Sequence, residues 1–446
     1  MTEPVDLVLD AARVVIGDGS ELVEASIAVR GGVIVGVGGT REVHALFEAT
    51  AVHDYSHHLV MPGLVNAHTH LAMTLLRGYA EGVDLQGFLE RVLAAEASLM
   101  DPETVALGTE LGAVESLLAG ATTALDMYFH AGAAHEAAAR VGLRHVGGQL
   151  FFDVSATDGL TWEERIEAAR RWPAELERIG GPYVPAALMP HGTYTVSPEH
   201  LAEVEAVAEE IGALVHVHAS ENEAENAEVL ERHGKTPIAI LDECGILGHP
   251  SVIGHGVHLT DADVALLSAR RAAVVHCPVS ELKLASGLAH MARLRAGGVT
   301  VSLGTDSCSS SNDLDPWVMM RTAALVATTV AGSPVSLPAR DIVAAATSEG
   351  AKALGMGDRI GTVRTGLEAD LIVLDLDQPH LTPIHDVHAL LVFAAGRADV
   401  ADVFVAGRQV VKNRSILTVD TADLLARARA RVGEPDAASQ PWSPRN

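Results

Sequence analysis

The sequence predicts an α/β fold, a (β/α)8 TIM barrel inserted in a small β-sandwich formed by both chain ends. Three observations carry that expectation. Between residues 60 and 358 short apolar runs alternate with amphipathic helical stretches, and repeated β-then-α units imply parallel strands that close on themselves. The flanks, 1–59 and 359–446, read as strands and turns. The helical stretches stop repeatedly at glycine, the residue that enters the left-handed region most freely.

In the N-terminal flank, Val5 to Leu9, Arg13 to Ile16, Ala25 to Arg30 and Val33 to Val37 read as strands of a small antiparallel unit, with a helical stretch at Glu42 to Phe47. From residue 60 the expected strands are the run into His68 and His70, Thr122–Met127, Arg144–Phe152, Tyr183–Met189, Leu214–His218, Val252–His255, Ala273–His276 and Val299–Gly304. Helices are expected at 102–118, 133–141, 162–179 and 198–211, the last three closed by Gly142, Gly180 and Gly212. Strands return at Gly361-Thr362-Val363, Leu371–Leu376, Asp399–Val405 and Arg408–Lys412, followed by a helix at 421–432 and a loose Pro/Ser/Ala-rich tail from Gly433.

Of 446 residues 48% are hydrophobic and 20% charged, which is enough apolar material for a large core. The net charge of −27 argues against nucleic acid or an anionic membrane as partner, because both require a basic surface. It suits a neutral or cationic small molecule. Three cysteines, Cys244, Cys277 and Cys308, are too few and too odd in number for a disulfide framework. The first residues lack a basic segment followed by an apolar one, and no apolar run reaches the ~18 residues that span a bilayer. The expected location is the cytoplasm.

Chemistry in such a barrel sits at the C-terminal ends of the strands. The polar residues expected there are His68 and His70, His191, His218, His255, His276 and Asp306. His68 and His70 are two apart on a strand, so both imidazoles face one side. Imidazole and carboxylate suit zinc or ferrous iron. The ligand set chosen from these is His68, His70, His218 and Asp306, with His216 expected to face away.

His68-x-His70 with Leu71-Ala72-Met73-Thr74-Leu75-Leu76-Arg77-Gly78 resembles the amidohydrolase superfamily, more narrowly its methylthioadenosine/S-adenosylhomocysteine deaminase branch. Further matches are Asp126-Met127-Tyr128-Phe129, Pro190-His191-Gly192-Thr193-Tyr194, His218-Ala219-Ser220-Glu221, Gly254-His255-Gly256, His276-Cys277-Pro278-Val279-Ser280 and Gly304-Thr305-Asp306. The resemblance covers roughly residues 1 to 415. It implies one metal ion per subunit, Zn2+ with Fe2+ as the other choice, a small heterocyclic substrate and a homo-oligomer. Binuclear relatives bridge two ions with a lysine late in the fourth strand. The chain has four lysines against 27 arginines, and the first is Lys235, so a bridged pair is excluded.

The resemblance assigns proton transfer to Glu221, metal binding and acceptance of the water proton to Asp306, and a hold on the attacking hydroxide to His255. Glu96, His191 and His276 are the implied substrate contacts. The implied reaction is hydrolytic release of ammonia from the adenine ring of methylthioadenosine, S-adenosylhomocysteine, 5′-deoxyadenosine or adenosine. The competing readings are action on guanine, a pterin, cytosine or a triazine, and a non-catalytic relative. One departure bears on the substrate: relatives hold the amino-acid end of S-adenosylhomocysteine with arginines after the third strand. Gln149 and Thr161 stand at those places here, with Arg144 and Arg165 nearby.

Overall fold

The computed structural model describes residues 2–153 and 157–433; the expected loose tail lies outside them except for Gly433. The N-terminal flank supplies β1 (Glu3–Val15), β2 (Glu21–Arg30), β3 (Val33–Gly39) and the long β4 (Phe47–Pro62). The barrel follows with β5 (Leu64–His70), β6 (Ala121–Asp126), β7 (Arg144–Phe151) and β8 (Ala187–Pro190). It continues with β9 (Leu214–Ala219), β10 (Ser251–His255), β11 (Ala273–His276), β12 (Thr300–Leu303) and β13 (Asp306–Ser307). The C-terminal flank gives β14 (Leu371–Asp375), β15 (Val400–Val405), β16 (Arg408–Lys412) and β17 (Ser415–Ile416).

β5 to β12 pair in sequence order, all parallel. β13 resumes two residues after β12, and its Asp306 and Ser307 pair with Thr69 and His70 of β5. The eighth strand therefore closes the barrel in two steps, at the position of the expected ligands. Gly304, in the gap between β12 and β13, permits the closure: a Cβ there would sit 2.8 Å from the carbonyl oxygen of His68 and 2.9 Å from its Cβ. Along β9, Val215 and Val217 join the apolar layer under the helices, which leaves His216 and His218 on the opposite, inner face.

The strands of both chain ends form one continuous sheet in the order β17-β16-β15-β14-β4-β1-β2-β3. It folds over a core that includes Leu9, Ile27, Ile34, Leu371 and Phe404, and Val33 bridges Glu368 across the fold. β4 is its spine, pairing with β1 on one side and β14 on the other. Three expectations need correction. The unit is not wholly antiparallel, because the helix Thr40–Leu46 turns the chain so that β4 runs parallel to β1. Gly361-Thr362-Val363 is a loop pinned by Val363 N–H to Ile16 O rather than a strand. The strand expected from Tyr183 begins only at Ala187, since Pro182 and Pro185 interrupt the ladder donors.

Barrel and sheet are joined through Arg144 at the start of β7. Its guanidinium is fully buried and forks onto both oxygens of Asp370, at 2.8 and 2.9 Å, and onto Glu368 at 2.7 Å. This places Arg144 at the opposite end of β7 from the strand ends that carry the histidines. Arg144→Ala would leave the Asp370 carboxylate buried without its cation. A loss of about 3–5 kcal/mol in denaturant-induced unfolding is expected, and a loss below 1 kcal/mol would contradict that account.

Candidate metal centre and active-site cavity

The hydrogen bonds of the strand-end histidines fix which ring nitrogen carries the proton. His70 Nδ1 lies 2.6 Å from Met127 O and His218 Nδ1 lies 2.9 Å from His191 O, so each donates there. His216 Nδ1 donates to Val252 O at 2.8 Å, which leaves its Nε2 to accept from His68 Nδ1 at 2.7 Å. All three remaining nitrogens, Nε2 of His68, His70 and His218, therefore present lone pairs. They converge: His68 Nε2 is 3.2 Å from His218 Nε2 and 3.4 Å from Asp306 Oδ1, and His70 Nε2 is 3.2 Å from the same oxygen. Acceptors facing acceptors in a buried place repel one another, and a cation is the group that relieves them.

His68 and His218 have the neutral state a cation site needs, while His70, although burial lowers it, is raised overall by the Asp306 carboxylate beside it. Burial holds His68 down at about 4 and His218 well below the ordinary histidine range, so both are neutral at neutral pH. Burial pushes the Asp306 carboxyl up, but His68 and His70 beside it outweigh this and hold it well below its usual value. Ser280 and Ser310 donate to its Oδ2, which leaves Oδ1 for the cluster. Asp306 (φ 58°), His255 (φ 72°) and Ser220 (φ 56°) occupy the left-handed region that side-chain-bearing residues rarely adopt. Such strain concentrates where a side chain must be aimed.

The four expected ligands are thus brought together, as the sequence reading required. His216 departs from that reading. It faces inward, one layer beneath the cluster, and fixes the tautomer of His68. Its place two residues before His218 on a strand was the available signal.

A cavity opens above the cluster. Glu221, His255, His191 and Glu96 all line it. Asn222, not Glu221, caps the following helix, Glu223–His233. Glu225 holds the backbone N–H groups of Ser220 and Glu221, at 3.1 and 2.7 Å. The Glu221 carboxylate lies 3.7 Å from His255 Nε2, and burial raises its carboxyl to about 7. Glu96, from the helix Leu85–Leu99, accepts from the Tyr128 hydroxyl at 2.7 Å. Burial raises it also to about 7, against that hydrogen bond. His191 stacks on Phe152 with ring centroids 4.4 Å apart.

His276 is the exception. It does not line the cavity; it is packed behind, with Nδ1 2.7 Å from Glu281 Oε2. The other oxygen of Glu281 lies 3.6 Å from His255 Nδ1. His276 therefore sits in a buried His–Glu–His group supporting His255, and the expectation that it touches substrate is corrected. Tyr128, Glu225 and Glu281 were not found as functional residues from sequence, because each acts through a partner distant in the chain or hidden in a helix start.

Comparison with known proteins bears on this site. The amidohydrolase family model matches residues 59–410. This chain belongs to the amidohydrolase family. It is 40% identical over 403 residues, 90% of this chain and 93% of the relative, to a 5-methylthioadenosine/S-adenosylhomocysteine deaminase of Desulforudis audaxviator. It is 36% identical to the protein of that name from Pyrococcus furiosus, covering 94% of this chain and 98% of the relative. Among solved structures, a zinc-bound adenosine deaminase from Xanthomonas campestris superposes with a TM-score of 0.93 at 36% identity, over 97% of this chain and 98% of the other. Amidohydrolases depend on metal, and the converging lone pairs of His68, His70 and His218 beside Asp306 fit that requirement.

Proposed function

We propose that this amidohydrolase is a hydrolytic deaminase that releases ammonia from the adenine ring of an adenosine derivative, with one zinc ion per chain. The observation that carries it is the meeting of three imidazole lone pairs and one carboxylate oxygen at the floor of a cavity that also presents a carboxyl poised near neutrality, Glu221. The names of its relatives supply the adenine nucleoside, and the zinc-bound neighbour favours zinc over iron.

His68 Nε2, His70 Nε2, His218 Nε2 and Asp306 Oδ1 would hold the ion. When bound, such an ion lowers the pKa of water from ~16 towards ~7, so that hydroxide is available at neutral pH. In the reaction water adds to the ring carbon bearing the amino group, ammonia leaves, and the carbon keeps the oxygen as a carbonyl. Glu221 gives its proton to the adjacent ring nitrogen as the carbon is attacked, then takes the proton of the added hydroxyl and passes it to the departing amine as the carbonyl forms; the proton held by Asp306 restores Glu221 for the next turnover. Asp306, its Oδ2 held by Ser280 and Ser310, accepts the proton from the attacking water. His255, flanked by Glu221 and Glu281, orients that water from the opposite side. Glu96 and His191 position the nucleoside.

No helix among the described residues is long and apolar enough to cross a membrane. Cys244, Cys277 and Cys308 are all free thiols, which supports a reducing compartment and hence the cytoplasm. Elemental analysis of the purified protein, together with ammonia release from a panel of heterocycles, tests the reading. About one zinc per chain and turnover of adenine nucleosides, but not of guanine, cytosine, a pterin or a triazine, is expected. Metal-free protein without turnover, or preference for another heterocycle, would refute it.

A further inference from the structure

We infer that the cavity selects adenine nucleosides whose 5′ substituent is uncharged and apolar, and discriminates against those that carry an amino-acid zwitterion. The inference rests on the deaminase reading and deepens it. It comes from the charges that line the cavity. Among the described lining residues the carboxyl groups are those of Glu96, Glu221 and Asp306, and no lysine or arginine is present. Away from the metal cluster most of the wall is apolar, apart from Glu96 with Tyr128, His191 and Tyr194. Phe88 and Val92 of the helix Leu85–Leu99 contribute, as do Phe129, Phe152 and Leu284.

Basic residues flanking this wall are engaged elsewhere; Arg91, next to Val92, donates to Glu81 O at 3.2 Å. Arg165 lies behind Leu150; it is buried, pairs with Asp158 and donates to Leu150 O at 2.9 Å. Lys283, beside Leu284, is held by Glu81 at 2.8 Å and Asn312 Oδ1 at 2.7 Å. The ammonium of a zwitterionic arm could meet a carboxylate here. Its own carboxylate would find no lysine or arginine on the described wall. Burying an unpaired charge is strongly unfavourable; Arg165 cannot turn inward without abandoning its buried, bidentate partner Asp158, and Lys283 would have to give up Glu81 and Asn312. A methylthio or methyl group at the same position buries against Phe88, Phe129 and Leu284 and gains from leaving water.

The test compares kcat/KM of the metal-loaded full chain on three substrates: methylthioadenosine, 5′-butylthioadenosine and S-adenosylhomocysteine. The butyl arm has the reach of the homocysteine arm without its charges, so it separates charge from length. Methylthio- and butylthioadenosine are expected within about 10-fold of each other, with S-adenosylhomocysteine at least about 100-fold below the butyl compound. S-Adenosylhomocysteine within a few-fold of butylthioadenosine would overturn the inference. So would a butylthioadenosine rate as low as that of S-adenosylhomocysteine, since length would then be the barrier. Absence of ammonia from all three would instead refute the deaminase reading itself.

Discussion

Glu221→Gln will lower kcat by more than about 100-fold while the metal content stays at the wild-type value. The substitution keeps shape and volume, so the cavity wall is unchanged. The backbone at 220–221 is held by Glu225, not by the Glu221 side chain, so the loop keeps its place. What is lost is a group that can bind and release a proton. Burial raises the Glu221 carboxyl to about 7, with Asp306 and Glu225 adding to the rise and His255 opposing it. A carboxyl at that value is present in both protonation states near neutral pH, as a group that must both take and give a proton requires. An amide can donate a hydrogen bond to a ring nitrogen but cannot deliver the proton. Steady-state kinetics with elemental analysis of the same sample decide it. A variant that keeps its metal and turns over within a few-fold of wild type would remove Glu221 from proton transfer.

The cluster was legible from sequence because each of its four side chains is encoded locally. His68-x-His70 and His216-x-His218 announce themselves by strand periodicity, and Asp306 by its place after an apolar run and Gly304. Regular helices closed by glycine were equally plain, and the helices expected at 162–179 and 198–211 are found with those bounds. What was hidden depends on the third dimension. β4 contains His53, Asp54, Ser56, His57 and His58, a polar run without apolar alternation, and it is a strand only because β1 and β14 flank it. The role of His216 depends on Val252 O, a group that sequence cannot place beside it. The position of His276 depends on Glu281, which reads as an ordinary acid in a first helical turn. Arg144 illustrates the same limit. In sequence it only lies near the places where relatives carry arginines; the barrel puts it at the far end of β7, where it anchors Asp370.

Asp306→Asn will abolish metal binding and turnover together, yet yield a folded protein. The reason lies in the two sides of the carboxylate. Oδ2 accepts from Ser280 and Ser310, and an amide oxygen can accept from both in its place. The amide nitrogen would then face His68 Nε2 and His70 Nε2, the two lone pairs that Oδ1 now approaches at 3.4 and 3.2 Å. Its two N–H groups satisfy those lone pairs, so the variant relieves by hydrogen bonding the repulsion that a cation relieves in the wild type. The same exchange removes the one anion that Oδ1 brings to the three imidazoles. Altering an outer partner of a metal ligand typically lowers affinity by about 10–100-fold, and loss of the charged ligand itself should exceed that. Thermal unfolding with and without added zinc separates the two effects. The wild type should melt higher with zinc, since a ligand bound only by the folded state stabilises it. Asp306→Asn should melt cooperatively at a temperature that zinc does not change. If the variant binds zinc stoichiometrically and keeps wild-type turnover, Asp306 is not the anion that completes the centre.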